Sequence, residues 1–356
     1  ILVAGAGIGG LAAALALARA GFRVVVFEAA PALSEAGAGI QLSPNATRVL
    51  SALGVVEALR ACAVAPAAIR VLNARSGREI VRIPLGRAVE ARYGAPYWVV
   101  HRADLQRALL EAAAARPEIV LRLGFTIVDH AVGEHGVTVV GKTQSGVLVE
   151  EQGHALVGAD GLWSTVRARL GRDSAPRFRG RAAWRALIPA GDADPAWRRP
   201  LTQLWLGPDA HLVHYPVRAG DAVNIVAIVK DDRAARGWAA PGDRDALLAR
   251  FRRWSAKACA ILEAPARWQI WSLHDLPPRP RPGRGPVTLL GDAAHAMLPF
   301  LAQGGAMAIE DAAVLADCAA HRPDDLAAAF RTYEQLRQVR TMRAAQESAR
   351  MGAIYH

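Results

Sequence analysis

Apolar residues open the chain as a strand, Ile1 to Ala4, and after a glycine-rich turn an Ala/Leu-rich helix runs from Leu11 to Ala20. A second apolar strand, Arg23 to Phe27, follows. Through residues 1–70 and 98–180 strand and helix patterns alternate, as in a doubly wound α/β sheet. Between them, Ile69 to Asn73 and Glu79 to Ile83 read as a short hairpin around Ser76-Gly77. From 181 to 279 the texture changes: Trp184, Trp205, Trp268 and Trp271 fall in short apolar stretches such as Leu201 to Leu206, His211 to Tyr215 and Val223 to Val229, separated by turn residues. This pattern predicts an antiparallel sheet. The first pattern resumes near 280, and Asp324 to Arg350 carries one or two amphipathic helices. The expected fold is α/β: a Rossmann-like domain from 1–70, 98–180 and 280–322, a discontinuous domain on the antiparallel sheet from 71–97 and 181–279, and C-terminal helices over 323–356.

The first turn, Gly5-Ala6-Gly7-Ile8-Gly9-Gly10, is a G-x-G-x-x-G match through Gly5, Gly7 and Gly10, with a strand before it and a helix after it. Gly5 permits the tight turn, Gly7 lets the backbone approach a pyrophosphate, and Gly10 allows close packing of helix on strand. The helix start offers free N–H groups to the anion. The second strand ends in Glu28, about 20 residues on, where a carboxylate suits the hydroxyls of an adenosine ribose. This motif alone establishes a dinucleotide without separating NAD from FAD.

Two later segments repeat the strand-to-turn pattern. Leu156 to Arg167 contains Gly158-Ala159-Asp160-Gly161, with Ser164 a candidate N-cap. Val287 to His295 contains Gly291-Asp292, and Gln303-Gly304-Gly305 precedes an Ala-rich helix whose N-terminus suits a second anion or a carbonyl. With these three motifs in this order, nearly the whole chain resembles the group A flavoprotein monooxygenases, the single-component FAD-dependent aromatic hydroxylases that include salicylate and hydroxybenzoate hydroxylases. The resemblance implies FAD as cofactor, NADH or NADPH as co-substrate, and an FAD domain beside a substrate domain. It places Glu28 on the adenosine ribose, Asp160 and Gly161 by the pyrophosphate, and Gly291 and Asp292 on the ribityl chain. Arg102 matches an Arg near the pyrophosphate, with Gln106 one helical turn later; read alone, Arg102 is equally a solvated charge at a helix start. Pro299 matches a proline at the flavin C4a edge, though a plain turn before the helix has the same sequence. Ala302 stands where many relatives have glycine.

Composition narrows the field. The 356 residues exceed the size of one core, and 52% are apolar, yet no uninterrupted apolar run reaches the roughly 18 residues of a membrane span. The chain begins inside its first strand without an initiator Met, so residues are expected before Ile1. Cys62, Cys259 and Cys318 are few and lack metal-ligand spacing, which excludes a disulfide framework and points to a reducing, cytoplasmic setting with no metal site. The 43 Lys and Arg against 32 Asp and Glu give a net charge of +11. These charges are scattered, nearly all Arg, and the densest group, Arg279, Arg281 and Arg284, lies in the Pro-rich segment Pro277 to Pro286, a stiff connector. Neither nucleic acid nor membrane is an expected partner; a small aromatic substrate and O₂ are, for a monomer or homodimer.

The resemblance implies chemistry in which reduced flavin adds O₂ and the resulting C4a-hydroperoxide passes oxygen to an electron-rich ring. The protein must exclude water, hold the ring, and remove a phenolic proton. Candidates for the proton are His211, His214 and Tyr215. Period two puts His211, Val213 and Tyr215 on one face and Leu212, His214 and Pro216 on the other, so one set alone faces the flavin. His214 ranks ahead of His211 as base, the alternative being that either is a hydrogen-bonded sheet residue, and Tyr215 suits packing or a substrate hydrogen bond. Two other functions remain open on sequence: an FAD-dependent dehydrogenase or oxidase, and a non-catalytic FAD-binding protein.

Overall fold

The computed structural model describes every residue except 34–37, 172–174, 233–239 and 281. Arg281 therefore lies outside the described residues. Five parallel strands form the first sheet, in the spatial order Val287–Leu289, Leu156–Gly158, Leu2–Ala4, Val24–Glu28, Ile119–Leu123. The helix Ile8–Arg19 is buried nearly all round, from Gly10 through Ala18, because its small Ala and Leu side chains let the sheet and the helix Gly304–His321 close on it. The register Ala4–Gly158–Leu289 sets three adjacent strands level. Their motif turns consequently emerge together at one edge.

One expectation needs correction. Residues 125–153 do not alternate strand with helix; Phe125–Gly133, Gly136–Thr143 and Leu148–Gly153 make a three-stranded antiparallel sheet. The links 134–135 and 144–147 are too short for a parallel crossover, and Gly136 and Gly146 adopt positive φ in tight reversals. A further two-stranded ribbon pairs Gly39–Leu42 with Trp98–His101.

The large sheet has eight strands, in the order Ala240–Gly242, Trp268–Asp275, Arg177–Pro189, Ala222–Lys230, Ala210–Val217, Thr202–Gly207, Ala68–Asn73, Glu79–Pro84. The hairpin read around Ser76-Gly77 joins it through a parallel pairing with Thr202–Gly207. Its two faces meet different partners. Trp184, Trp205, Leu212 and Ile225 pack on Leu247, Phe251, Ile261 and their neighbours from two short helices, Arg244–Arg250 and Ala256–Glu263. On the opposite face Ala183 and Ile228 pack on Leu298 and Phe300, and Gly39 N donates to Asn224 Oδ1 at 2.7 Å. That second face looks toward the parallel-sheet domain.

The C-terminal region is one long helix, Leu326–Tyr355, with the Asp325 side chain accepting from Ala328 N at its start. Among the described residues no helix is long and apolar enough to cross a membrane, and no cluster of His, Cys, Asp and Glu could hold a metal.

Candidate active site

The glycine turn is built for a close visitor. A Cβ on Gly10 would stand 1.9 Å from the Gly5 carbonyl oxygen and one on Gly5 2.5 Å from that of Ala159, so neither position admits a side chain. Gly7 faces open space and caps the helix without a side-chain hydrogen bond, which leaves the first N–H groups free. Glu28 accepts from Ala6 N at 2.8 Å and Ala30 N at 2.9 Å. Each carboxylate oxygen keeps a second lone pair for a hydroxyl. Gln106 Nε2 donates to Ala6 O at 3.1 Å, so it braces the same turn. Arg102 begins the helix Arg102–Ala114, and its backbone N–H donates to Ala38 O.

The second and third motifs are tied together by a residue whose role sequence reasoning missed. Arg167 is buried and donates to Ala293 O at 2.9 Å and Leu162 O at 2.5 Å. Asp160 turns onto its own helix, accepting from the Ser164 hydroxyl and Val166 N, while Ser164 caps Arg167 N as its sequence suggested. Gly161 has φ +75° and opens to space. Asp292 is exposed at the start of a short helix, with Gly304 beside it: a Cβ there would lie 3.9 Å from Asp292 Oδ1. Gly305 packs so close to Ile40 that a Cβ would come within 2.8 Å. Pro299 is exposed and starts a 3₁₀ turn that ends at Ala302 with φ 53°, a left-handed conformation that costs a non-glycine residue roughly 1 kcal/mol. Open glycine turns, free helix N–H groups and two acidic strand ends suit a dinucleotide.

Beneath the Gly291 turn lies a buried ionic network. Asp311 accepts from Gly291 N at 3.1 Å and from Arg337 Nε at 2.6 Å, and its Oδ2 is 2.5 Å from His295 Nε2. Arg337 also reaches Glu310, which Arg340 and Asn45 contact. Burial works to lower His295, but the charge and hydrogen bond of Asp311 outweigh it and hold His295 above its ordinary value. The acid pair Glu310-Asp311 in an Ala-rich helix was the one sequence signal for this network.

The large sheet decides between the histidines. His214 lies opposite Ile225, on the face covered by the two short helices; it is fully buried, neither ring nitrogen has a hydrogen-bond partner, and burial pulls its pKa to about 3. His214, the residue the sequence favours as base, thus stands on the face turned away from the parallel-sheet domain. His211 and Tyr215 share the other face. The His211 ring sits 5.6 Å from that of Phe300, next to Pro299, and its Nδ1 contacts His356. Tyr215 packs against Gly39, and burial raises its phenol well above the ordinary value, with Arg185 and Gln41 pulling the other way. Gln41 also accepts from the Tyr97 hydroxyl. Arg185, unmarked among many arginines in the sequence, lies on this face over the Trp271 ring, and burial draws its pKa down to about 10.

A model of the FAD binding domain family matches residues 1–348. The chain is 37% identical over 360 residues to a 3-hydroxybenzoate 6-hydroxylase of Klebsiella oxytoca, covering 100% of this chain and 88% of that one. It is 37% identical over 356 residues to a 3-amino-4-hydroxybenzoate 2-monooxygenase of Streptomyces cremeus, covering 100% and 87%. The structure of Klebsiella pneumoniae HpxO complexed with FAD and uric acid superposes with a TM-score of 0.87 at 29% identity, over 100% of this chain and 88% of that one. The level strand ends, the open glycine turns and these matches lead to one statement: the chain belongs to the FAD binding domain family, as an FAD-dependent aromatic hydroxylase of the group A flavoprotein type.

Proposed function

We propose that the protein hydroxylates a small phenolic or hydroxy-aromatic acid of the hydroxybenzoate class, using NADH or NADPH and O₂. When bound, FAD supplies the redox chemistry, taking reducing equivalents from the nicotinamide and delivering one oxygen atom of O₂ to the ring. Gly5, Gly7, Gly10 and Glu28 would hold the adenosine diphosphate, with Arg102, Gln106, Asp160 and Gly161 around the pyrophosphate. Gly291 and Asp292 would hold the ribityl chain, and Pro299, Gly304 and Gly305 would border the flavin ring. Residues 71–97 and 181–279 would bind the substrate.

His211 is the base in this reading. The observation that carries it is the shared face: His211 and Tyr215 project beside Phe300 and Gly39, toward the FAD-binding domain, whereas His214 lies on the opposite face. His211 takes the phenolic proton and makes the ring a better nucleophile. Tyr215, kept protonated by burial, donates a hydrogen bond to the bound ring's substituent. The apolar residues Leu298, Phe300 and Ile228 keep water from the reacting centre. The enzyme works in the cytoplasm as a monomer or homodimer, without nucleic-acid or membrane partners.

The test is a product screen with purified enzyme, NADH or NADPH, and salicylate, 3- and 4-hydroxybenzoate and 6-hydroxynicotinate. The expected result is mass gain of one oxygen for at least one acid, with substrate-stimulated NAD(P)H oxidation. Substrate oxidation without oxygen gain would favour the dehydrogenase or oxidase reading.

A further inference from the structure

The strand Gly39–Leu42 is wedged between the two domains. Its residues alternate: Ile40 lies against Gly305, at the start of the helix proposed to border the flavin, while Gly39 and Gln41 turn to the large sheet. A Cβ on Gly39 would stand 2.7 Å from the Tyr215 hydroxyl oxygen, so a residue without a side chain is what lets that phenol lie over the strand. Asn224, the cross-strand partner of Tyr215, accepts from Gly39 N at 2.7 Å and ties the strand to the sheet. Gln41 stands about 7 Å further along on the same face, within side-chain reach of the phenol.

The amide of Gln41 has a fixed sense. A carbonyl oxygen only accepts, so the Tyr97 hydroxyl donates to Gln41 Oε1. Burial raises the Tyr97 phenol well above its ordinary value, so it keeps that proton at neutral pH. The end of the amide left for Tyr215 is Nε2, which only donates. Gln41 does hydrogen-bond the Tyr215 phenol as a donor does, supporting its ionised form against the larger effect of burial. Protons therefore run one way, from Tyr97 to Gln41 and from Gln41 to the Tyr215 oxygen. The Tyr215 O–H is turned away from Gln41 and into the cleft that His211 shares.

We propose that Gln41 is a positioning residue that, anchored by Tyr97, turns the Tyr215 hydroxyl proton toward an oxygen of the bound aromatic acid. This rests on the hydroxylase reading above. With an acceptor in place of the Nε2 group, Tyr215 would donate back to residue 41 and meet the ligand oxygen with its own lone pairs, so a hydrogen bond would become a repulsion.

The experiment titrates holoenzyme at pH 8.5 with 3-hydroxybenzoate, following the flavin absorbance, in wild type, Gln41→Glu, Gln41→Met and Tyr97→Phe, and repeats the two Gln41 changes in a Tyr215→Phe background. Gln41→Glu keeps the shape and reverses the polarity; it should raise Kd by about 10-fold, Gln41→Met by about 5-fold, and Tyr97→Phe by less, with FAD retained throughout. In the Tyr215→Phe background both Gln41 changes should shift Kd by no more than about twofold, because there is no hydroxyl left to turn. Plain repulsion between Glu and the acid, or a packing defect at 41, would persist in that background and would overturn the proposal. So would wild-type affinity in both Gln41→Glu and Gln41→Met, or release of FAD; where one of the two does not fold, the other carries the test. Wild-type enzyme that binds neither 3-hydroxybenzoate nor any other acid of the product screen would overturn the hydroxylase reading and this role with it, whereas tight wild-type binding left unchanged by the Gln41 variants would overturn the role alone.

Discussion

His211 Nδ1 stands 2.8 Å from His356 Nε2, and His356 Nδ1 stands 2.7 Å from the Gly352 carbonyl oxygen. A carbonyl only accepts, so the neutral His356 ring carries its proton on Nδ1 and presents Nε2 as an acceptor. His211 must then donate from Nδ1. Its Nε2 is left with the lone pair, which is the nitrogen that can take a proton. Burial lowers His211 well below the ordinary imidazole value and draws His356 to about 4, so both rings are neutral at pH 7.

His356→Phe removes the acceptor that fixes this tautomer. Hydroxylation should slow by about 10- to 100-fold, the cost of orphaning a buried donor, with substrate Kd and FAD affinity nearly unchanged. His356→Gln, whose amide oxygen can accept, should restore part of the rate. Single-turnover oxidation of the reduced enzyme with substrate measures this; full activity in the Phe variant would show that His211 needs no such partner.

His214 should make the fold acid-sensitive. Its folded pKa, about 3, lies below the ordinary 6.5, so the unfolded chain binds a proton that the folded chain refuses. Stability is therefore lost as pH falls from 6.5 toward 3, by roughly 2 kcal/mol at pH 5. His214→Leu, which fills the same apolar surroundings, should lose less Tm between pH 7.5 and pH 5 than wild type does. Parallel Tm losses in the two proteins would contradict this.

The contrast between these histidines shows what a sequence conveys. Period-two alternation puts His211 and His214 on opposite faces of one strand, but which face turns to the parallel-sheet domain is set by Asn224 reaching Gly39 and by Phe300, contacts between distant segments of the chain. The three motif turns were legible because each is local, with strand, turn and helix inside one short segment. The antiparallel sheet over 125–153 was misread from its surroundings, although its short links and Gly136 and Gly146 were visible. Arg185 and Arg337 gave no signal: burial singles out an arginine, and burial is a property of the packed fold.

Arg337→Met should cost about 3–5 kcal/mol, because Asp311 and Glu310 are left buried with less compensation. Asp311 also holds Gly291 N, so FAD should dissociate faster as well. Urea unfolding and flavin release measure the two effects. An unchanged urea midpoint would mean the network adds nothing to stability.

The His295–Asp311 contact has its own pH signature. His295 is raised on folding, so its contribution is complete below about 6.5 and fades as pH rises through the raised value. The Tm gap between wild type and His295→Asn should be wider at pH 6 than at pH 9. A gap that is constant with pH would show that the contact is not charged in the folded state.

The most direct measurement compares His211→Ala with His214→Leu in rapid mixing with 3-hydroxybenzoate or whichever acid the product screen identifies. Flavin reduction by NAD(P)H should survive in both. Hydroxylation should fall by about 10²-fold or more in His211→Ala, with NAD(P)H consumption diverted to hydrogen peroxide, and stay near wild type in His214→Leu. The reverse pattern, with coupling intact in His211→Ala and lost in His214→Leu, would contradict the assignment of the flavin-facing side of the sheet and of the base upon it.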